Sequence, residues 1–385
     1  MVYRKFGRLD WQASVLGFGC MRLPTLDGAP QSEKVDREAS VRMIRAAIDR
    51  GVNYVDTAYP YHNGASEVVV GEALRDGYRA KVRLATKSPV WLLKRDADFD
   101  VYLDQQMKRL GTDRIDFYLL HALNAERWRS VLELGVLARA EAAVGDGRVG
   151  ALGFSFHDRL DVFKTIVDGH DGWDFCQVQY NYMDTENQAG TEGVEYASAK
   201  GLAVVVMEPL FGGRLARPPR AVREIFAAFD PERTPAEWAL RWVWDRPEPA
   251  VVLSGMGRMS EVEANLRTAE RAAAGSMTPA EHDTIARVRR AYLATTPIPC
   301  TQCGYCLPCP NGVAIPRVFE LYNNGRIHED PATSRLVYAR FLGEDERASA
   351  CVQCGECEPK CPQGLPIREW MRKADGVLGN GEDYS

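Results

Sequence analysis

Eight of the chain's ten cysteines fall between Cys300 and Cys361, in two runs whose spacing leaves few options for that part of the chain. The first run is Cys300, Cys303, Cys306 and Cys309, followed by Pro310; the second is Cys351, Cys354, Cys357 and Cys361, followed by Pro362. Three cysteines at two-residue intervals wrap one iron–sulfur cubane, and a fourth followed by proline reaches across to a neighbouring cluster. The pattern predicts two [4Fe-4S] clusters, one on Cys300, Cys303, Cys306 and Cys361, the other on Cys351, Cys354, Cys357 and Cys309. The first run is one residue short before its last cysteine, so its geometry is less closely specified than that of the second. Zinc is the rival, but paired Cys-x2-Cys sites use two cysteines per unit and have no use for the third or for the trailing prolines.

A chain of 385 residues buries a full core without disulfide staples, so cysteines this dense in a reducing compartment read as metal ligands. A content of 45% hydrophobic and 26% charged residues excludes a disordered or fibrous protein. The net charge of -5 and the lack of any concentrated basic stretch argue against a nucleic-acid partner. The start, MVYRKFGRLDW, has no apolar core before a cleavage site, and no window reaches the ~18 apolar residues of a membrane span. These features are expected of a cytoplasmic protein with no membrane partner.

Prolines at 297 and 299 disfavour continuing a helix into Cys300, which places a domain boundary there and gives domains 1–295 and 296–385. The two cysteine runs are joined by a long connection with helix-like segments at Pro316 to Asn323 and Ala332 to Leu342, so a small, mainly helical ferredoxin-like iron–sulfur module is expected.

The first 295 residues alternate short β-branched runs with helix-period segments, the signature of repeated βα units on a parallel sheet. Strands are predicted at Ser14 to Gly17, Tyr54 to Asp56, Val82 to Thr86, Phe117 to Leu120, Gly150 to Phe154, Phe175 to Gln179, Ala203 to Met207 and Ala250 to Leu253. Helices are predicted at Arg37 to Asp49, Val101 to Leu110, Arg127 to Ala143, Ala236 to Trp244, Ser260 to Ala273 and Glu281 to Leu293. That count fits the α/β class as a closed (β/α)8 TIM barrel. The competing open doubly wound sheet lacks its glycine-rich phosphate fingerprint, since the residues after the first strand are Phe18-Gly19-Cys20-Met21-Arg22.

In such a barrel, polar groups at the C-terminal strand ends converge on one mouth. Here those positions offer Asp56 with the following Tyr61, Lys87, His121 and Ser155. A tyrosine hydroxyl titrates too high to exchange protons efficiently at neutral pH, and a neighbouring ammonium lowers it. Lys87 is expected to supply that charge, Asp56 to hold Lys87, and His121 to orient a carbonyl oxygen, a set suited to carbonyl reduction or alcohol oxidation. Spacing alone equally allows a structural Asp56–Lys87 ion pair with Tyr61 and His121 as polar rim residues.

The stretch Gly51-Val52-Asn53-Tyr54-Val55-Asp56-Thr57-Ala58-Tyr59-Pro60-Tyr61, then Gly64-Ala65-Ser66-Glu67, with Leu16-Gly17-Phe18-Gly19 and Gly111-Thr112-Asp113, resembles the aldo-keto reductase superfamily. The resemblance runs over the first domain and implies that Asp56, Tyr61, Lys87 and His121 form a catalytic tetrad. It also implies a nicotinamide cofactor, NAD(H) or NADP(H), with Ser155 and Gln179 on the carboxamide. The pyrophosphate and adenosine fall by the same resemblance to Glu208, Leu210, Gly212, Ser254, Gly255, Met256, Arg258 and Asn265. In the loop from Ser254 to Glu263, Arg258 is the only cation, and Glu261 and Glu263 disfavour a 2′-phosphate, so NADPH preference is not expected. The paired cysteine runs resemble those of a subgroup of this superfamily with a ferredoxin-like extension.

The leading reading is an oxidoreductase that interconverts a carbonyl and an alcohol, with the clusters for electron transfer or structure. Nicotinamide passes two electrons as hydride and a cubane takes one, which leaves a place for a ferredoxin-type or other one-electron redox partner. The alternative is an electron-transfer or partner-docking iron–sulfur protein in which the barrel is a scaffold or uses a non-nicotinamide redox partner. Single histidines, the buried-type Cys20 and Cys176, and Trp238, Trp242 and Trp244 read as ordinary structural residues.

Overall fold

The computed structural model describes residues 1–385 except Pro30, His328, Glu329 and Ser385. By packing, the chain divides into two compact units, Met1–Pro209 with Glu237–Met277, and Leu210–Ala236 with Thr278–Ser385. The segment 210–236 and the helix Pro279–Thr295 therefore pack with the cysteine-rich end, although the sequence seam lies after Thr295.

The first unit begins with an antiparallel hairpin of β1 (Tyr3–Lys5) and β2 (Gln12–Ser14). Eight parallel strands follow: β3 (Leu16–Gly19), β4 (Tyr54–Asp56), β5 (Arg83–Ser88), β6 (Ile115–Leu123), β7 (Val149–Phe156), β8 (Phe175–Gln179), β9 (Ala203–Met207) and β10 (Pro249–Gly255). They close into a barrel in chain order, with β10 returning to pair with β3. The fold is a (β/α)8 barrel, and seven of its strands lie on the predicted runs, although β6 is five residues longer than Phe117 to Leu120 and β7 and β10 are each three longer than predicted. The first differs: Ser14 is taken by the hairpin, so β3 starts two residues later than predicted.

The hairpin loop fills one end of the barrel. Phe6 is fully buried, stacks on Phe117 at 4.6 Å and lies 5.9 Å from Tyr54 and 5.6 Å from Phe175. Tyr54 and Phe175 are the first residues of β4 and β8, so this plug sits at the N-terminal strand ends, opposite the mouth. Gly153 on β7 makes room for it: a Cβ there would lie 2.6 Å from the Phe175 ring.

Helix Arg37–Asp49 forms as predicted, opened by the Asp36 side chain accepting from the Ala39 amide. The single helix expected over Arg127 to Ala143 is instead two, Ala125–Glu133 and Val136–Gly145. Gly135, at φ +69°, takes the left-handed conformation that ends the first of them.

The second unit is helical, with no strand among its described residues. The Cys-x2-Cys-x2-Cys runs are loops, and after them come helices Ile315–Ile327 and Ile367–Ala374, with Pro331–Phe341 between the runs. Val318, Phe319, Tyr322, Leu365 and Met371 belong to its core, and most of the cysteines of the two runs are in it or pack against it. The two runs are built alike. Gln302 and Gln353 have φ of 57° and 61°, and Gly304 and Gly355 have φ of 79° and 82°. Gly312 and Gly364, each three residues beyond the last cysteine, donate their amides to the Cys309 and Cys361 carbonyls at 3.0 Å. No helix is long and apolar enough to cross a membrane, among the described residues.

Candidate functional site

Asp56 ends β4 and Lys87 lies near the end of β5, and parallel pairing of the two strands sets their side chains together. The Lys87 ammonium donates to Asp56 Oδ1 at 2.6 Å, to the Thr57 carbonyl at 2.8 Å and to the Tyr61 hydroxyl at 3.3 Å. All four groups are buried. Behind Lys87, the buried Glu67 carboxylate accepts from Thr86 at 2.7 Å and Arg109 at 3.1 Å, and the Gln106 amide donates to the Lys87 carbonyl at 3.1 Å. That network fixes the β5 end, so the ammonium is aimed before any ligand arrives.

His121, in β6, faces Tyr61 edge-on with ring centroids 6.0 Å apart. Burial holds its imidazole well below the ordinary range, helped by Lys87, His157 and Arg127, and its buried Nδ1 has no hydrogen-bond partner. A neutral ring with unspent capacity therefore faces the phenol. Trp91, partly exposed, lies 5.2 Å from the His121 ring and carries Arg127 over its own face at 5.1 Å. Nothing in the sequence pattern singled it out.

The expectation that Lys87 lowers the Tyr61 phenol is not what the folded site does. Burial pushes the phenol well above its ordinary value, Asp56, Glu208 and Cys20 push further, and Arg22 opposes them. Burial likewise raises the Asp56 carboxyl, with Lys87 pulling it back. The sequence argument counted the ammonium and omitted desolvation, which is the larger effect for a phenol without solvent contact.

Arg22 is a second residue that sequence reasoning missed. A Cβ on Gly255 would meet the Arg22 side chain at 3.3 Å, so that stem lies across the end of β10. Its guanidinium stands 3.8 Å from Glu208, and Nη2 is buried without a hydrogen bond. Glu208 adopts φ +55°, and its carbonyl accepts from Asn181 at 3.0 Å.

Among the residues expected to bind a nicotinamide, Ser155 accepts from the Ala122 amide at 2.7 Å, which leaves its own hydrogen to give. Gln179 is engaged at both ends, donating to Asp184 and accepting from Gln188. Gln177, two residues earlier on β8, pairs in register with Ser155, and its buried Oε1 has no partner. Ser254 accepts from Asn265 at 2.9 Å; Met256 is buried; Gly255 and Arg258 are exposed. Glu261 is spent on the Gly257 amide at 2.9 Å, which fixes the loop. Leu210 and Gly212 fall in the second unit, where a Cβ on Gly212 would lie 2.5 Å from the Thr301 carbonyl.

In the second unit the thiols fall into two groups. Burial pushes the Cys306 thiol up, and the neighbouring Cys303, Cys300 and Cys361 add to the push. The Cys357 thiol is pushed up to about 11, by burial first and then by Cys351 and Cys354. A pocket beside this second group is lined by Cys351, Cys354 and Cys357 together with Cys309 and Cys306. The thiols surround space rather than converge on a point: among the described residues, no three His, Cys, Asp or Glu groups come together as for a single metal ion. Room framed by the cysteines of both runs fits a cubane.

Residues 15–287 match the model of the aldo/keto reductase family, and residues 299–365 match that of a 4Fe-4S dicluster domain. The chain belongs to the aldo/keto reductase family. This reductase is 26% identical over 271 residues to an uncharacterized oxidoreductase of Schizosaccharomyces pombe, covering 68% of the present chain and 83% of that one. It is 29% identical over 227 residues to an aldo-keto reductase of Bacillus subtilis, covering 56% and 64%. Its fold is similar to that of an aldo-keto reductase of Bacillus halodurans in its holo form, with a TM-score of 0.62, 25% identity and coverage of 75% and 96%. The reductase is thus an oxidoreductase whose barrel is followed by a dicluster iron–sulfur domain.

Proposed function

We propose that this aldo/keto reductase interconverts a carbonyl and an alcohol at the barrel mouth, with Tyr61 giving the proton to the carbonyl oxygen in reduction and recovering it in oxidation. One observation carries the reading: the buried chain from Asp56 through Lys87 to Tyr61, at 2.6 and 3.3 Å, beside a neutral His121. Lys87 spends its N–H groups on Asp56, Thr57 and the phenol oxygen, so the phenol hydrogen is left for a substrate. A donor kept protonated by burial is in the right form to give, and the ammonium on its oxygen stabilises the phenolate left behind. The imidazole supplies a second hydrogen bond to the same carbonyl oxygen, and Trp91 forms an aromatic wall beside it.

A nicotinamide, when bound, supplies or accepts the hydride. Ser155 and Gln177, neighbours in register, have the free capacity for its carboxamide, with Gln179 fixed behind by Asp184 and Gln188. Glu208, Ser254, Gly255, Met256, Arg258 and Asn265 remain the proposed contacts for the rest. NADH is proposed to serve at least as well as NADPH.

The catalytic part is assigned to residues 1–295 and the cluster part to residues 296–385. Two [4Fe-4S] clusters are proposed, on Cys300, Cys303, Cys306 and Cys361 and on Cys351, Cys354, Cys357 and Cys309; the matched backbone of the two runs and the thiol grouping support this sharing. Bound cubanes carry electrons singly, which suits a one-electron partner of the ferredoxin type.

The test is to give anaerobically purified protein NADH or NADPH with a panel of aromatic aldehydes and ketones, following nicotinamide absorbance, alcohol formation and cluster bleaching. Alcohol formed in step with nicotinamide oxidation is the expected result. Cluster bleaching by a one-electron reductant, with nicotinamide and every carbonyl left untouched, would instead favour the electron-transfer scaffold.

A further inference from the structure

A cavity of about 420 Å³ opens within the second unit, and the first cysteine of the first run, Cys300, is part of its wall. The residues after β9 read Gly213-Arg214-Leu215-Ala216-Arg217-Pro218-Pro219-Arg220-Ala221-Val222-Arg223, and Arg214, Arg217 and Arg223 all line this cavity. Two of the three are held in place. Arg214 donates from Nη1 to the Ile298 and Cys300 carbonyls, both at 2.9 Å, and its own carbonyl accepts from the Tyr292 hydroxyl at 2.9 Å. Arg223 donates from Nη1 to the Pro218 carbonyl at 2.9 Å. None of the three forms an ion pair with a described carboxylate. Among the described residues of the wall the one acid, Glu320, is taken by Arg317 at 2.7 Å.

The wall also includes Thr296, whose hydroxyl is buried without a hydrogen-bond partner. The cavity is thus rich in donors and poor in acceptors. Three guanidinium groups gathered in one wall, with the described acid there already paired and guanidinium N–H groups left over, suit a phosphate. The remaining wall is different: Tyr292, Pro218 and Pro219 offer apolar surface, and the space exceeds what a bare phosphate ion fills.

We propose that this cavity binds a phosphomonoester carried on a ring system, of the mononucleotide class, with the phosphate among Arg214, Arg217 and Arg223 and the ring against Tyr292 and the prolines. The site is lined by residues of the second unit alone, and the proposal does not depend on the reaction at Tyr61. Its position at Cys300 makes the first cluster a reporter of occupancy, because charge placed beside a ligand sulfur alters the spectrum and potential of its cluster.

The test uses the full chain with both clusters loaded. AMP, FMN and inorganic phosphate are each titrated by calorimetry, in the absence and presence of saturating NADH, and the reduced clusters are examined by electron paramagnetic resonance. A mononucleotide is expected to bind one per chain whether or not NADH is present, and to perturb the signal of one cluster. If only AMP binds, the ring is a base; if only FMN binds, the ligand is a redox carrier. Arg217 is exposed and has no side-chain partner among the described residues, so Arg217→Gln is expected to keep the fold and to weaken binding on the order of tenfold or more. Arg217→Gln with Arg223→Gln is expected to weaken it further, and Arg217→Lys is expected to recover most of the loss. The proposal is overturned if inorganic phosphate alone binds, if neither mononucleotide does, if NADH displaces the mononucleotide one for one, or if the double variant binds as the parent does.

Discussion

The barrel and the second unit place their reactive side chains by opposite means. In the barrel, Asp56 and Lys87 stand on paired strands, and Glu67, Gln106 and Arg109 fix the backbone behind them, so charged groups are paired within the protein itself. In the second unit, eight cysteines sit on loops with left-handed turns at Gln302, Gly304, Gln353 and Gly355, and no strand ladder ties those loops down. Burial pushes several of their thiols up, whereas iron takes thiolates, so cluster loading is expected to add order to those loops. The lesson is that the barrel mouth is organised by pairing within the protein, whereas the cysteine loops are expected to gain order from their clusters.

The largest effect that would break this contrast is in the second unit. Cys361→Ser removes the ligand that the second run is proposed to lend to the first cluster. Iron is expected to fall from about eight to about four per chain, and limited proteolysis near Ile298 to accelerate while the barrel stays folded. If the variant resists cleavage there as well as the parent does, the clusters do not hold that unit together.

In the barrel, Lys87→Met leaves Asp56 buried without its partner. Breaking a buried pair costs about 3–5 kcal/mol, so the thermal unfolding of the barrel should shift down while iron content is unchanged. Carbonyl reduction should fall by roughly 10²-fold or more. An unaltered barrel melting temperature would show that the pair is not part of what preorganises the mouth.

The pH profile sharpens the same point. The phenol of Tyr61 is raised above its ordinary 10.0 by burial first and then by Asp56 and Glu208, and the protonated form is the one active in reduction. Reduction is therefore expected to hold through neutral and mildly alkaline pH and to fall only as pH rises above about 10. His121 is held well below 6.5, by burial first, so it stays uncharged near neutrality and adds no limb there. An alkaline limb near neutral pH in kcat/KM would show that Lys87 outweighs burial.

The smallest expected effect is in cofactor choice. With Arg258 as the cation of its loop and Glu261 spent on the Gly257 amide, NADH is expected to bind at least as tightly as NADPH in fluorescence titration. A clear preference for NADPH would point to Arg22, whose buried Nη2 has no hydrogen bond and stands 3.8 Å from Glu208, as the group that reads the extra phosphate.

The grouping of Asp56, Tyr61, Lys87 and His121 was legible because each stands near the C-terminal end of a strand, and eight short β-branched runs announced where those ends are. The distinction between Gln177 and Gln179 was not, because alternation puts both on one face of β8 and only the register with Ser155 separates them. The hairpin plug was hidden by its three-residue strands, and Phe6 gains its meaning from Phe117 and Phe175, far away in the chain. Arg22 and the Arg214 clamp on Ile298 and Cys300 are likewise long-range facts that no local pattern encodes. The repeat in the second unit was only half read: the two cysteine runs were seen, but not that Gly312 and Ile315 answer to Gly364 and Ile367.

The central claim is that the preformed barrel mouth delivers a proton from Tyr61. It is tested most directly by Tyr61→Phe, which removes one oxygen and leaves Asp56, Lys87 and His121 in place. With both clusters loaded and the reduced nicotinamide bound, single-turnover carbonyl reduction is expected to fall by about 10²- to 10⁴-fold while nicotinamide affinity and iron content stay as in the parent. Turnover equal to the parent's, at equal cofactor affinity, would contradict the account.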